Sequence, residues 1–386
     1  MKRLLTVILT LVLLCSLPAV ALCAEETDAP SVRAKAAVLL EQETGTLLFG
    51  QNEHEKLYPA SVTKVMSLLL FFEALERGDL SLQTTVTADA EAAGKGGSQI
   101  WLKEGEQMSV DELLRATAIG SANDACTALA EACAGSEASF VRRMNERAKE
   151  LGMNDTHFDN CTGLDDDTTT HLTSAYDVAM MSRALLSHEK VLDYTTVWMD
   201  ALRGGQTQLV NTNKLVRHYK DTTGLKTGTT AKAGCCISAS AKRDGLHLIA
   251  VVLGAETSSE RFAIAQELLD WGFASFEAVT PEVPPELLAP LPVQRGKEAF
   301  VLPKVQALPP LVLRRGEKQK LHVSEKILQP PEAPVAKGQS LGTLTFSVGD
   351  KAVAECTLCA ESDVGRLTLF DVFLRLLASL ACRERM

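Results

Sequence analysis

The 386-residue sequence carries no surplus of positive charge: 39 Lys+Arg stand against 49 Asp+Glu, a formal charge of −10. Phosphate backbones are bound chiefly through Lys and Arg, so nucleic acid is excluded as the main partner. Also missing is any apolar run of the ~20 residues that span a bilayer as a helix, because the run from Leu4 to Leu14 breaks at Cys15-Ser16 and Pro18. Paired metal-ligand spacing is absent too. The seven histidines show none, and Cys356-x-x-Cys359 has no second pair, so neither a zinc nor a redox centre is expected. Eight of the ten cysteines lie beyond Cys15 and Cys23, and their placement looks structural. Cys235 and Cys236 are adjacent in an expected strand and point to opposite faces. Cys126 and Cys133 sit on an Ala-rich helical stretch, as buried small hydrophobes do.

What is present begins with Met1-Lys2-Arg3, a short apolar run and Pro18-Ala19-Val20-Ala21, the layout of a secretory signal peptide over 1–24. Cleavage after Ala21 and after Ala24 both fit. Its removal takes Lys2 and Arg3 and no acid, leaving 37 basic against 49 acidic residues and a formal charge of −12. The remaining length suits two domains, and 46% hydrophobic residues suffice to build their cores.

Two apolar runs from Ala36 to Phe49 flank Glu43-Thr44-Gly45, a hairpin signal. Pro59-Ala60 opens a long helical run to Arg77, stopped by Gly78 and apolar on nearly every face, as expected of a helix at the centre of a domain. Further helices are expected over Ser109–Ala134, Ser136–Leu151 and Ser174–Ser187. Strands return at Gly234–Lys242 and Leu246–Leu253 around Arg243-Asp244-Gly245, and a closing helix covers Ser259–Phe273. Strand, helices, then strands argue for an α+β domain over 30–277, with helices packed on an antiparallel sheet. Prolines 281, 284, 285, 290 and 292 mark a linker into a small all-β module over 278–362. The last segment, 363–386, spaces Thr368, Asp371, Arg375, Ser379 and Arg383 three or four apart beneath a wide apolar face. Its charges argue against a transmembrane span. It reads either as a helix in the bilayer interface or as one packed on the β module.

Three short motifs follow in order: Ser61-Val62-Thr63-Lys64, Ser121-Ala122-Asn123 and Lys226-Thr227-Gly228. Alone, each has an ordinary reading: a snorkelling lysine, a helix N-cap, a turn. Together they make chemical sense. Ser61 falls at a helix N-terminus, where free N–H groups and the dipole favour an oxyanion. Lys64, one turn on, lies over the Ser61 hydroxyl, and a lysine desolvated there and crowded by a second cation can take the serine proton. Ser121 and Asn123, from a loop between helices, offer a hydroxyl relay and a positioning amide. Lys226 and Thr227 line a strand edge where Gly228 lets the substrate backbone approach.

The ordered set is the signature shared by penicillin-binding proteins and class A β-lactamases. The stretches AAVLLEQETGTLLFGQNEHEKLYPASVTKVMS, IWLKEGEQMSVDELLRATAIGSANDACTALAE, GLKTGTTAKAGCCISASAKRDGLHLIAVVLGA and ERFAIAQELLDWGF resemble the low-molecular-weight penicillin-binding proteins that are serine D-alanyl-D-alanine carboxypeptidases, from about Ala36 to Phe276. The resemblance implies a β-lactamase/DD-peptidase-like α+β domain, with Ser61 as acyl-enzyme nucleophile and Lys64 as proton acceptor. Ser121, Asn123 and Lys226 complete the catalytic centre, and Thr227, Gly228, Thr229 and Arg261 bind substrate. The Ser61 and Thr229 N–H groups form the implied oxyanion hole, and Arg261 stands near the substrate's terminal carboxylate. The β module and tail are similar, more loosely, to that family's second domain and membrane anchor. Implied partners are a stem peptide ending in D-Ala-D-Ala, β-lactams as inhibitors and a membrane surface; no cofactor is needed, since serine, lysine and the oxyanion hole suffice.

Two departures stand out. The loop after Gly163-Leu164 carries Asp165-Asp166-Asp167 and Thr168-Thr169-Thr170, and the middle motif has Ala122 where relatives often have glycine. A class A β-lactamase would need a glutamate in an E-x-x-L-N setting; Glu150-Leu151-Gly152-Met153-Asn154 does not fit, so slow inhibitory acylation by penicillin is expected. DD-endopeptidase action on cross-links uses the same residues, and a stem-peptide or β-lactam sensor would have lost one of them.

Overall fold

In a computed structural model, residues 29–374 other than 309 and 329 are described. The expected leader, and the tail beyond Leu374, lie outside the described residues. The first strand, β1 (Ala36–Glu41), is apolar until Glu41 and buried throughout. Glu41 then ends it: its carboxylate accepts hydrogen bonds from the N–H groups of Glu43 and Thr44 and from the Thr44 hydroxyl. Gly45, at φ 72°, completes the turn into β2 (Leu47–Gln51).

Five antiparallel strands form the main sheet in the order β2-β1-β5-β4-β3, with β3 Thr222–Thr230, β4 Gly234–Arg243 and β5 Leu246–Ala255. Leu39 of β1 pairs with Ala250 of β5, so the sheet's centre joins the two ends of the domain. Successive strand residues face opposite sides. Val38, Leu40, Cys236, Ile249 and Val251 join a core with α1 (Lys64–Arg77) and its neighbours. Ala37, Leu39, Cys235, Ile237 and Leu248 join a second core with the C-terminal helix of the domain, α6 (Ser258–Ser275). The expected splitting of Cys235 and Cys236 between faces is therefore observed. α1 carries ten buried residues and ends at Gly78 in the left-handed conformation, as its sequence required.

The helical region divides into α2 (Val110–Ala118), α3 (Asn123–Ala134), α4 (Glu137–Glu150) and α5 (Ala175–Leu186). A capping box between Ser109 and Glu112 starts α2. The helical stretch expected over Ser109–Ala134 is two helices, with the loop expected at Ser121 and Asn123 between them: the chain breaks at residues 119–122, where Ser121 takes φ 61°. Helical continuity is lost there because the start of α3 is bonded sideways instead. The Asn123 N–H donates to Ser98 O at 2.7 Å, and the Asp124 carboxylate accepts from the N–H groups of Ile100 and Leu102.

β6 (Phe276–Val279) leaves α6 directly and pairs with β8 (Leu311–Arg314), linking the α+β domain to an all-β module. That module is a four-stranded sheet in the order β7-β11-β10-β9, made of Pro303–Val305, Lys351–Ala360, Ser340–Val348 and Leu321–Ile327. Val364 and Arg366 form bridges to Val335 and Gly296, so the terminal helix begins later than residue 364, at Leu369. Thr368 and Asp371 cap it reciprocally. Leu369, Phe370 and Phe373 are exposed. No helix among the described residues is long and apolar enough to cross a membrane.

Gly272 lets α6 approach the sheet closely: a Cβ there would meet Leu248 Cδ1 at 2.6 Å and Leu39 Cδ2 at 2.7 Å. Both contacts are inside the second core, so overpacking has no outlet. Gly272→Val is expected to lower unfolding free energy by about 1–3 kcal/mol, read from the midpoint of a denaturant melt.

Candidate active site

Ser61 lies in a 3-10 turn, Ala60–Thr63, that leads into α1, one turn before the α-helix proper. Ala60, at φ 49°, starts the turn in a conformation an alanine rarely adopts. Two glycines make room for it. A Cβ on Gly163 would sit 1.8 Å from Ala60 O, and one on Gly228 would sit 2.7 Å from Ser61 N and 2.8 Å from Pro59 O. The glycine of the third motif is thus required by the chain's own close approach, a reason beyond the substrate access expected for it.

Lys64 is the first residue of α1 and is fully buried. Its Nζ donates to Asn123 Oδ1 at 2.5 Å and to Thr162 O at 2.8 Å, and lies 3.0 Å from Ser61 Oγ. Asn123 Nδ2 donates to Gly96 O at 2.7 Å, which fixes the amide so that its oxygen faces the lysine. Burial brings the Lys64 pKa down to about 8, against smaller upward pulls from Cys126, Cys161 and Asp124. The expected crowding by a second cation is felt elsewhere. It is Lys226, 1% exposed, that is held well below the usual lysine range, first by burial and then by Lys64 and Arg261. Lys226 Nζ has modest partners, Thr227 O at 3.1 Å and Thr212 Oγ1 at 3.5 Å.

Ser121 and Asn123 are buried at the break between α2 and α3. Lys226, Thr227, Gly228 and Thr229 lie on β3, an edge strand of the main sheet. Arg261, in the first turn of α6, is 7% exposed rather than solvated. Its Nη1 donates to Gly228 O at 2.8 Å, Thr229 Oγ1 at 2.9 Å and Cys236 O at 3.3 Å, bracing the strand from behind. The unusual loop has its own clasp. Thr230 Oγ1 donates to Asp165 Oδ2, Lys232 Nζ donates to the carbonyls of residues 165, 166 and 168, and the Thr168 and Thr170 hydroxyls donate to Asp159.

Thr63, a variable position of the first motif, and Gly97, Asp124, Thr162 and His171, outside all three, also hold this arrangement. Asp124, next to Asn123, had the clearest signal, an acid in the first turn of a helix. Two hollows elsewhere in the described residues are lined by no motif residue. One of about 810 Å³ lies beside Trp101 and Arg203, and one of about 520 Å³ lies between the β1–β2 turn and Lys351–Ala354. Converging polar side chains mark the candidate site. Among the described residues no group of three His, Cys, Asp or Glu could hold a metal ion.

Residues 23–257 match the D-alanyl-D-alanine carboxypeptidase family, and residues 286–366 match the C-terminal domain of penicillin-binding protein 5. The chain belongs to the D-alanyl-D-alanine carboxypeptidase family. It is 38% identical over 375 residues to the D-alanyl-D-alanine carboxypeptidase DacF of Bacillus subtilis, covering 94% of this chain and 95% of that one. It is 33% identical over 345 residues to DacA of Escherichia coli, covering 87% and 84%. Penicillin-binding protein 5 from Haemophilus influenzae superposes with a TM-score of 0.79 at 28% identity, over 88% of this chain and 99% of that one. Penicillin-binding protein D2 from Listeria monocytogenes in its ampicillin-bound form gives 0.58 at 31% identity, over 64% and 99%. This serine carboxypeptidase thus has the penicillin-binding protein 5 architecture, a peptidase domain followed by an all-β domain.

A side chain at position 163 of the carboxypeptidase would strike Ala60 O and also require φ 88°. Gly163→Ala is expected to reduce covalent labelling by fluorescent penicillin at least ~10-fold, since displacement of a reacting group by about 1 Å costs that much or more.

Proposed function

We propose that Ser61 is the acylated nucleophile, Lys64 the base that activates it, and Ser121, Asn123 and Lys226 the groups that carry the leaving amine's proton and position the substrate. One observation carries this reading: Lys64 Nζ touches Ser61 Oγ while Asn123 Oδ1 and Thr162 O engage its other two tetrahedral directions. Both of those partners are carbonyl oxygens and can only accept. A neutral Lys64 keeps its two N–H bonds on them and aims its lone pair at the Ser61 hydroxyl.

The substrate is a peptidoglycan stem peptide ending in D-Ala-D-Ala. It lies along the free edge of β3 as an added strand, with the penultimate carbonyl oxygen between the N–H groups of Ser61 and Thr229. Ser61 Oγ attacks that carbonyl carbon and Lys64 takes its proton. As the C–N bond breaks, the proton taken up by Lys64 passes through the Ser121 hydroxyl to the departing D-alanine nitrogen, with the Lys226 amine positioning the relay, and Lys64 is neutral again. Water, deprotonated by Lys64, then releases the acyl group and restores Ser61. Thr227 and Thr229 meet the terminal carboxylate, with Arg261 supplying positive charge through Thr229 Oγ1. β-Lactams acylate the same serine, and the absence of an E-x-x-L-N glutamate leaves that adduct long-lived.

The reading extends to the whole chain: a leader over 1–24, a catalytic domain over 30–277, a β domain over 278–362, and a tail over 363–386 that lies on the outer face of the cell membrane. Its support is the apolar start of the chain and the exposed Leu369, Phe370 and Phe373 at the beginning of the terminal helix.

The leaderless protein is expected to release D-alanine from diacyl-L-Lys-D-Ala-D-Ala, with penicillin blocking release and Ser61→Ala abolishing it. Release by that variant at the wild-type rate would remove Ser61 from the mechanism. The acid–base reading has its own signature. Only neutral Lys64 accepts the proton, and its neutral fraction grows as pH rises through about 8. The acylation rate constant for a β-lactam should therefore fall ~10-fold per pH unit below that value and level off above it. Lys64→Arg, charged at every accessible pH, should show no such rise.

A further inference from the structure

His171 belongs to none of the three motifs, yet it is fully buried and touches the turn that carries Ser61. The Asp159 N–H donates to its Nδ1 at 3.0 Å. Nδ1 therefore holds the lone pair, and the ring's proton is on Nε2. Burial supports the neutral ring, lowering the His171 pKa to about 4. Nε2 is 2.8 Å from Thr63 Oγ1 and must be the donor to it. Thr63 Oγ1 in turn donates to Ala60 O at 2.9 Å. The direction of the whole chain is thereby fixed: Asp159 N–H to His171, His171 N–H to Thr63, Thr63 O–H to the Ala60 carbonyl.

That carbonyl shares a peptide unit with the Ser61 N–H. The unit is planar and trans, so the N–H points opposite to the C=O. Drawing Ala60 O inward, against Gly163, turns the Ser61 N–H outward toward β3, where a Cβ on Gly228 would lie 2.7 Å from Ser61 N. Ala60 holds φ 49° to allow this, a strain that persists only where surrounding bonds impose it. We propose that His171 is a positioning residue which, through Thr63, orients the Ala60–Ser61 peptide so that its N–H faces the oxyanion. The inference rests on the reading of Ser61 N–H as an oxyanion-hole donor and adds the device that aims it. Successive hydrogen bonds polarise one another along such a chain, and each link here is buried.

Loss of an interaction made only in the transition state lowers kcat and leaves KM in place. Thr63→Val keeps the shape of the threonine and removes the hydroxyl, and is expected to cut kcat for D-alanine release ~10–100-fold with KM within about twofold, short of the ~10²–10³ for removing a whole oxyanion donor. Thr63→Ser restores the hydroxyl and should recover kcat to within about threefold. His171→Leu should resemble Thr63→Val, whereas His171→Gln, whose amide can accept from Asp159 and donate to Thr63, should recover. A folded Thr63→Val with wild-type kcat, or a His171→Gln as slow as a folded His171→Leu, overturns the proposal. If Thr63→Val proves unfolded by its thermal melt, the His171 pair decides by the same readout. A wild-type enzyme that releases no D-alanine, or a fully active Ser61→Ala, instead overturns the parent reading.

Discussion

A fully buried ammonium is the constraint on which this site turns. Removing a lysine from water is costly unless each N–H finds an acceptor. Lys64 meets that demand from three separate parts of the chain: its own turn, the first residue of α3 and the loop at Thr162. Satisfying the lysine therefore gathers the site. Burial nonetheless draws the pKa of the amine down to about 8.

The surrounding structure keeps those three partners from drifting. Asp124 bolts residues 100–102 to the start of α3 while Asn123 itself grips Gly96 and Ser98, so the loop and the amide move together. Arg261 spans Gly228, Thr229 and Cys236, tying the edge strand to its neighbour from behind. Strain is concentrated at Ala60 and Ser121, the two non-glycine residues of positive φ at the site's centre, and each is flanked by buried hydrogen bonds. Such conformations occur where the rest of the fold over-determines them.

Much of this was legible in the sequence because it is local. The Glu43-Thr44-Gly45 turn, the apolar α1 with its Gly78 stop, the hairpin at Asp244-Gly245 and the ordered motifs all follow from short-range pattern. The break inside Ser109–Ala134 was legible only through the Ser121-Ala122-Asn123 motif: Ala-rich sequence favours helix on both sides of it, and contacts to residues 96–102 hold the interruption in place. His171 was hidden. Its partners are at Thr63 and Asp159, and a lone histidine in a Thr-rich loop carries no periodicity that would connect it to a serine so far away in the chain. Arg261 was singled out by resemblance alone, because nothing local in Glu260-Arg261-Phe262 shows that the fold buries it.

The pairing of β1 with β5 has a bearing on how the enzyme comes into being. Leu39 cannot meet Ala250 until nearly the entire peptidase domain has been synthesised, and the turn bearing Ser61 leans on β3, which precedes β5 by a single strand. Contacts between such distant segments form late and slowly in folding, since chain entropy must be surrendered before they repay it. A growing chain thus carries Ser61 and Lys64 early yet lacks the strand against which their turn packs. The edge on which the Ser61 turn rests is secured only when the last strand enters the middle of the sheet.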